Sequence, residues 1–356
     1  MKKLSFKSIS LGLIVNMLFA LILAPLMSLT PIILFVGLLI ASCVPLPSGV
    51  TLMAITKEIW EADIVEALFK DNEFLNYAVN ADQYVLAGKV VHIPNAGGVP
   101  TVVKNRTSLP ASVTVRTDVD ITYPLDEFTS DPVKISNAET VELSYDKRQS
   151  VLADSQMGIR ETVADWVLRA WAPADATRLI RTTGSAIVSH LDSATGNRKK
   201  FIVADLQRAQ KQLNKDNVPK QGRYAILSAD MMDQLMTDLT ATQYRDFSDA
   251  MDAENGIVGK LFGFNILVRG SVLIYTNAAT PLVKDPGAAG AATDNDCVLC
   301  WHQSSVERAL GDVKIFELTN DPTYYGDIYS VLVRMGGRIR RNDLKGIVAI
   351  IQDSAT

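Results

Sequence analysis

Cysteine is scarce in this sequence, which has only Cys43, Cys297 and Cys300 among its 356 residues. A secreted disulfide framework needs more cysteines, so the composition indicates a reducing compartment. The C-V-L-C pair at Cys297 and Cys300 has two interpretations, a metal site or two buried thiols. The segment around it alternates as a strand does, which places the two thiols on opposite faces, where they cannot bind one ion together. We therefore predict buried thiols and no metal site.

Catalytic motifs are missing as well. The sequence has no G-x-S-x-G elbow, no phosphate-binding loop, no H-E-x-x-H and no dinucleotide-binding glycine pattern. Three histidines leave little material for a general base. The acid pairs Asp118/Asp120 and Asp126/Glu127 are expected to be solvated charges on exposed strands. We predict no catalytic, cofactor-binding or metal-binding residue, and therefore no enzyme and no cofactor.

Acidic residues are absent from residues 1–52, which contain three lysines and two apolar runs, Leu11–Ala24 and Ile32–Cys43. Each run is short for a membrane span. Three interpretations are open: a lipoprotein-type signal that is cleaved before Cys43, a membrane hairpin, or a start codon assigned too far upstream. The sequence M-A-I-T from Met53 is typical of a cytoplasmic start, so we expect Met53 to be the true first residue.

An excess of basic charge is also lacking, because residues 53–356 carry a net charge of −7. An acidic chain argues against a dedicated nucleic-acid reader, and nothing in residues 53–356 predicts a membrane segment. One basic concentration lies near the end of the chain, at Arg334, Arg338, Arg340, Arg341 and Lys345. It has two interpretations of equal weight: a solvated strand face, or a contact with another subunit or with packaged DNA.

Residues 137–173 contain the strongest helix pattern in the sequence. A helix is predicted from about Tyr145 to Trp171, because apolar residues recur at helical spacing until Pro173 stops the helix. The charged residues between the apolar positions, among them Arg160 and Asp165, are expected to face solvent. This helix is interpreted as the strut on which the fold is built. Its apolar positions are Val151, Leu152, Ile159, Val163, Val167 and Trp171.

Residues 104–136 have a different pattern, in which Val113, Val115, Val119 and Ile121 alternate with polar residues. The alternation predicts a long, thin pair of strands with one polar face. Such a hairpin is marginally stable alone and lacks an obvious core within its own chain, so we expect its partner surface to be another chain.

After Pro173 the pattern is that of an α/β lobe. We predict a short helix near Arg178–His190, a second helix over Phe201–Lys215 and a buried strand over Arg223–Leu227. Ser228 is expected to cap the helix that follows the strand.

The order of these elements resembles that of the major capsid proteins of tailed bacteriophages with the Hong Kong 97 fold, and most of all the branch in phages of Bacteroidetes hosts. The resemblance runs from Ile55 to Gln352. It is carried by E-I-W-E-A-D-I-V, Y-P-L-D-E-F-T-S-D-P-V-K-I-S-N-A-E, L-S-Y-D-K-R, D-P-T-Y-Y-G-D-I and R-M-G-G-R-I-R-R-N-D-L-K-G, in that order. Residues 1–52 have no counterpart in that family pattern.

The resemblance implies an α+β fold with five parts after the hydrophobic segment of residues 1–52. These are an N-arm with packing helices (53–100), an extended loop (101–136), a peripheral domain with the spine helix (137–195), an axial domain (196–316) and a return to the peripheral-domain sheet (317–356).

The implied function is that of a structural protein that assembles with itself into hexamers and pentamers. These form the icosahedral shell of a phage or prophage around double-stranded DNA. The implied partners are scaffolding and portal proteins, with non-specific DNA contact, and the implied locations are the virion capsid and, before assembly, the host cytoplasm. The alternative hypothesis, based on residues 1–52, is an exported, lipid-anchored binding protein of the bacterial envelope.

Overall fold

The computed structural model of the chain describes residues 50–86, 89–95, 104–105, 107, 119–136, 147–252 and 255–355. The predictions for residues 1–49, with Cys43, and for Val113 and Val115 lie outside these residues. The chain divides into two units, residues 1–60 and 61–356.

The α-helices are α1 (Val50–Asp71), α2 (Lys147–Trp171), α3 (Val203–Lys215), α4 (Ala229–Asp238) and α5 (Ala241–Ser248). The predicted cap of α4 is confirmed, since the Ser228 hydroxyl accepts a hydrogen bond from the Met231 N–H at 3.3 Å. Short 3-10 turns occur at Glu73–Tyr77, Asp82–Tyr84, Ala176–Arg178 and Gln303–Ser305. Among the helices that the structure describes, none is both long enough and apolar enough to cross a membrane.

The strands are β1 (Val79–Asn80), β2 (Val85–Leu86), β3 (Val90–Asn95), β4 (Val119–Pro124), β5 (Asp126–Thr129), β6 (Val133–Ser136), β7 (Leu179–Arg181), β8 (Ala186–Val188), β9 (Asn197–Lys199), β10 (Arg223–Ser228), β11 (Gly259–Leu261), β12 (Phe264–Arg269), β13 (Leu273–Tyr275), β14 (Asn295–His302), β15 (Val306–Asp321), β16 (Gly326–Ile339), β17 (Ile347–Ile351) and β18 (Ser354–Ala355).

A seven-stranded mixed sheet forms the main core, in the order β11-β12-β10-β14-β17-β7 with β13 on β14. Every residue of β10, β14 and β17 is buried. Helices α3 and α4 cover one face of this sheet through apolar residues such as Leu206 and Met231. On the other face Trp301 lies 5.8 Å from Trp171 of α2, measured between ring centres. The sheet is therefore buried on both faces, as its nearly continuous apolar strands require.

A second sheet of five strands has the order β1-β15-β16-β5, with β6 also pairing with β16. Helix α2 packs on β16, and Val163, Val167 and Trp171 of the predicted stripe are at most 2% exposed. The Trp171 indole N–H donates to the Glu307 carbonyl at 3.0 Å. A Cβ at Gly337 would lie 2.9 Å from that indole nitrogen, so the helix approaches the sheet where glycine leaves room. The predicted helix is confirmed from Lys147 to its end at Trp171.

Two charged residues of α2, Arg160 and Asp165, were expected to face solvent. The structure corrects this expectation, because both form ion pairs within the chain. The Arg160 guanidinium lies 2.5 Å from Asp71 of α1, and the Arg160 side chain is only 15% exposed. Asp165 pairs with Arg269 of β12. These ion pairs link α2 to neighbouring elements, and pairing allows the charges to lie at a partly buried surface.

The helix predicted near Arg178–His190 is wrong. The chain there forms a 3-10 turn and then strands β7 and β8, because β7 is parallel to β17 at the edge of the main sheet, with Leu179 opposite Ala349. This pairing joins residues that are distant in sequence, so local periodicity does not reveal it.

One predicted boundary and one predicted sheet assignment do not coincide with the observed elements. The boundary between residues 316 and 317 falls inside the continuous strand β15. Strand β17 pairs with β14 of the seven-stranded sheet and does not join the sheet of β16, so the segment 317–356 contributes to both sheets.

Candidate assembly surfaces

The base of the predicted hairpin is a ladder inside this chain. Strand β4 pairs antiparallel with β3 from Val90 opposite Pro124 to Asn95 opposite Val119. Val91 is fully buried in a small core with Ala81, Leu125 and Ala309. The expectation that the hairpin has no core of its own chain is therefore wrong at its base. In the sequence, residues 96–118 lie between β3 and β4.

A groove lies between strand β5 and helix α2. Its volume is about 580 Å³, and its walls include Phe128 and Thr129 of the strand and Ile159 and Thr162 of the helix. Among the described residues, β5 pairs with β16 alone, so its other edge keeps unpaired backbone groups. A Cβ at Gly158 would meet nothing within 4 Å, which leaves open space beside the groove.

The groove is acidic. Asp131 and Asp154 are both exposed and lie in its wall, while Glu127 in the same wall is paired with Arg334. The groove therefore combines a free strand edge with negative charge, which suits an extended, basic segment.

A second candidate surface is the end of the β15–β16 hairpin. Phe316 and Leu318 are about half exposed, at 51% and 52%, and they share a face because they are two residues apart on β15. Tyr324 and Tyr325, in the turn between the strands, are 52% and 77% exposed. Apolar and aromatic side chains that are concentrated at one exposed end are typical of contact surfaces between proteins.

The sequence analysis predicted neither the groove nor the hairpin end. A signal for the hairpin end exists, because Ile315 and Phe316 are adjacent apolar residues and a strand must place them on opposite faces. Ile315 is 1% exposed and Phe316 is the one that faces outward. The groove had no local signal, since β5 and α2 meet only in the folded chain.

The basic concentration is paired within the chain. Arg334 lies 2.6 Å from Glu127 and 3.2 Å from Asp312. Arg338 lies 2.5 Å from Glu307, which is 1% exposed in its side chain. A buried carboxylate needs such a partner, so Arg338 has a structural role.

The remaining members of the basic concentration are also paired. Arg340 contacts Glu307 at 3.3 Å, and both Arg341 and Lys345 contact Asp343. The hydrogen bond from Arg341 holds the pKa of Asp343 well below its usual range. The strand-face interpretation is therefore favoured over a free cationic surface.

The two thiols occupy the predicted strand β14, and both are fully buried. Burial raises the pKa of Cys300, and burial together with the Asp296 charge raises that of Cys297, which keeps both as thiols at neutral pH. In the part of the chain that the structure describes, no group of three His, Cys, Asp or Glu side chains lies close enough to hold a metal ion.

Comparison with known proteins gave one family match. The sequence profile described as "Phage capsid protein" matches residues 138–350. No curated protein matched the sequence.

Several solved phage capsid structures are similar in fold. The capsid of Ralstonia phage GP4 has a TM-score of 0.55 at 14% sequence identity, with 79% of this chain and 88% of that chain covered. The capsid of cyanophage P-SCSP1u has a TM-score of 0.54 at 16% identity, covering 79% and 87%. The capsid of cyanophage Pam1 has a TM-score of 0.52 at 13% identity, covering 78% and 91%. At these identities the similarity concerns the fold.

Proposed function

The chain belongs to the phage capsid protein family, and from this membership we propose that its copies assemble into the hexamers and pentamers of an icosahedral shell. The protein is a structural major capsid protein with the Hong Kong 97 fold, located in the capsid of the virion. In the proposal, the shell encloses the double-stranded DNA of a tailed phage or prophage.

The observation that carries the proposal is the groove beside β5, together with the segment 96–118. Residues 101–118 include three basic residues, Lys104, Arg106 and Arg116, and one acidic residue, Asp118. The groove has the opposite charge at Asp131 and Asp154 and a free strand edge. We propose that this segment of one copy lies along the groove of a neighbouring copy, held by strand pairing and by charge.

The hairpin end would supply a second contact. Burial of Phe316, Leu318 and the two tyrosines against a neighbour would remove apolar surface from water, at roughly 25 cal/mol per Å². Contacts of modest strength are sufficient in a closed shell, because each copy makes them with several neighbours.

The domain assignment is part of the proposal. Residues 53–100 form the N-arm and its packing, and residues 101–136 the extended loop. Residues 137–195 contribute α2 to the peripheral domain, and residues 196–316 contribute most of the axial domain. Residues 317–356 contribute to both, through β16 and β17 respectively.

The proposed partners beyond the chain itself are scaffolding and portal proteins, and subunits are proposed to reside in the host cytoplasm before assembly. Contact with packaged DNA is proposed to be non-specific, with little contribution from the paired arginines near the end of the chain. We also propose that the protein catalyses no reaction. The relation to phages of Bacteroidetes hosts stays a prediction.

The alternative hypothesis of an exported, lipid-anchored binding protein is based on residues 1–52 alone. The family match extends over residues 138–350 and favours the capsid function.

Electron microscopy of the purified full chain tests the proposal. Closed shells of uniform diameter, or regular rings of five and six copies, are expected. A protein that stays monomeric at high concentration and sediments with the membrane fraction would contradict it.

A further inference from the structure

Three elements of the fold meet at the carboxylate of Asp296. Asp296 lies near the start of β14, and its Oδ2 accepts a hydrogen bond from the Ser228 hydroxyl at the start of α4. The same oxygen lies 2.9 Å from Nε2 of His190, in the turn between β8 and β9. Oδ1 accepts from the Cys297 N–H at 2.7 Å. The side chains of Asp296 and His190 are 4% and 14% exposed, so solvent screens this contact weakly.

The surroundings of His190 are mainly negative. Besides Asp296, the carboxylate of Asp230 in the first turn of α4 acts on the ring, while the positive end of the α4 dipole opposes it weakly. Because a carboxylate oxygen accepts hydrogen bonds, Nε2–H is the donor between the two side chains. Nδ1 is buried, and none of the described residues forms a hydrogen bond with it.

Other links run from β9 and from the β8–β9 turn to the loop before β14, and their charge does not change near neutral pH. Arg198 donates to the carbonyls of Ala292 and Asp294, and the Thr195 N–H donates to the Ala292 carbonyl. A guanidinium and a backbone amide keep their protons throughout this range. Among these links, only the His190 contact changes its charge between about pH 5 and 8.

We propose that the contact between His190 and Asp296 is a proton-controlled latch that fastens the β8–β9 turn to the seven-stranded sheet. With the imidazole protonated, the contact is a partly buried ion pair and the latch is closed. When the imidazole loses its proton, the buried Asp296 carboxylate keeps a hydrogen bond but loses its counter-charge, and the turn opens more often.

The direction of the pH dependence follows from the surroundings. Burial lowers the pKa of His190, but the hydrogen bond to Asp296 and the charges of Asp296 and Asp230 outweigh it, so the pKa is raised above 6.5. A raised pKa in the folded state means that the stabilisation is complete below the unfolded value and is lost as pH rises through the folded value. The latch is therefore expected to open on the alkaline side of 6.5.

Hydrogen exchange of the full chain, followed by mass spectrometry over a pH series and corrected for intrinsic exchange rates, tests the latch. Peptides covering residues 186–199 are expected to lose protection in one step above pH 6.5, while peptides of β10 and β17 stay protected. A loss of protection that is equal in all peptides would overturn the proposal, since it would report global unfolding.

Three variants make the test specific. His190→Gln keeps a hydrogen-bond donor without a charge, so the 186–199 peptides should exchange faster at low pH and show no step. Asp230→Asn removes one of the two carboxylates, so the step should remain but move to lower pH. His92→Gln, in β3, should leave the step unchanged. A step that persists in His190→Gln, or that does not move in Asp230→Asn, would overturn the latch and leave the capsid function unaffected.

Discussion

The seven-stranded sheet and the β15–β16 hairpin end differ in how much of their apolar surface the chain itself covers. In the sheet, β10, β14 and β17 are buried at every residue by elements of the same chain. At the hairpin end, Phe316, Leu318, Tyr324 and Tyr325 are all at least half exposed, although Phe and Leu usually fill cores. The subunit thus folds around one region and leaves apolar surface in the other.

The groove beside β5 belongs with the exposed region. Its free strand edge is an aggregation hazard in a monomeric protein, and natural monomers usually cover or block such edges. In the described part of this chain the β5 edge stays free, and it lies beside an acidic wall. We therefore interpret it as a surface that is covered only after assembly. Substitutions should therefore separate into those that unfold the subunit and those that only prevent assembly.

The largest effect on folding is expected for Val163→Asp. Val163 is 0% exposed on the face of α2 that packs on β16, so an unpaired carboxylate there costs several kcal/mol. Insoluble or unfolded protein is expected, as judged by circular dichroism and sedimentation. Val163→Ala is the matched control and should stay folded with a lower urea midpoint. A soluble Val163→Asp protein that unfolds at the wild-type midpoint would mean that α2 does not organise the fold.

An intermediate effect is expected within the basic concentration. Arg338→Ala leaves the buried Glu307 with Arg340 as its remaining partner and should lower the free energy of unfolding by about 1–3 kcal/mol. Arg341→Ala removes an exposed pair with Asp343 and should cost under ~1 kcal/mol. Urea denaturation of both variants measures the difference. Equal losses would argue against a structural role that is specific to Arg338.

The smallest effect on folding is expected at the hairpin end. Phe316→Ser with Leu318→Ser should leave the free energy of unfolding within about 0.5 kcal/mol of wild type, because surface substitutions seldom do more. Shell formation should nevertheless fall, as measured by light scattering. Lys211→Ser, at an exposed position on α3, is the control and should assemble normally. Normal assembly of the double variant would exclude this end as a contact between copies.

The sequence predicted the elements whose signals are local. Helical spacing up to Trp171 placed α2, and Ser228 marked the start of α4. Features that depend on distant pairing were not predictable, since β7 is a strand only because β17 lies beside it. The same holds for the pairing of Arg338 with Glu307, which are 31 residues apart, and for the β5–α2 groove. The pairing of β3 with β4 was also not predicted, because β3 was assigned to the N-arm and β4 to the extended loop.

The most direct test is a subunit in which a short glycine-rich turn replaces residues 101–118, so that β3 and β4 keep their ladder. If the segment binds the groove of a neighbouring copy, this variant should still unfold cooperatively at the wild-type urea midpoint. Sedimentation velocity and electron microscopy should nevertheless find no shells. Restoring the segment with Arg106 and Arg116 changed to Glu should also block assembly, while Lys substitutions at the same positions should permit it. Normal shells from the shortened chain, or a subunit that fails to fold without the segment, would contradict the account.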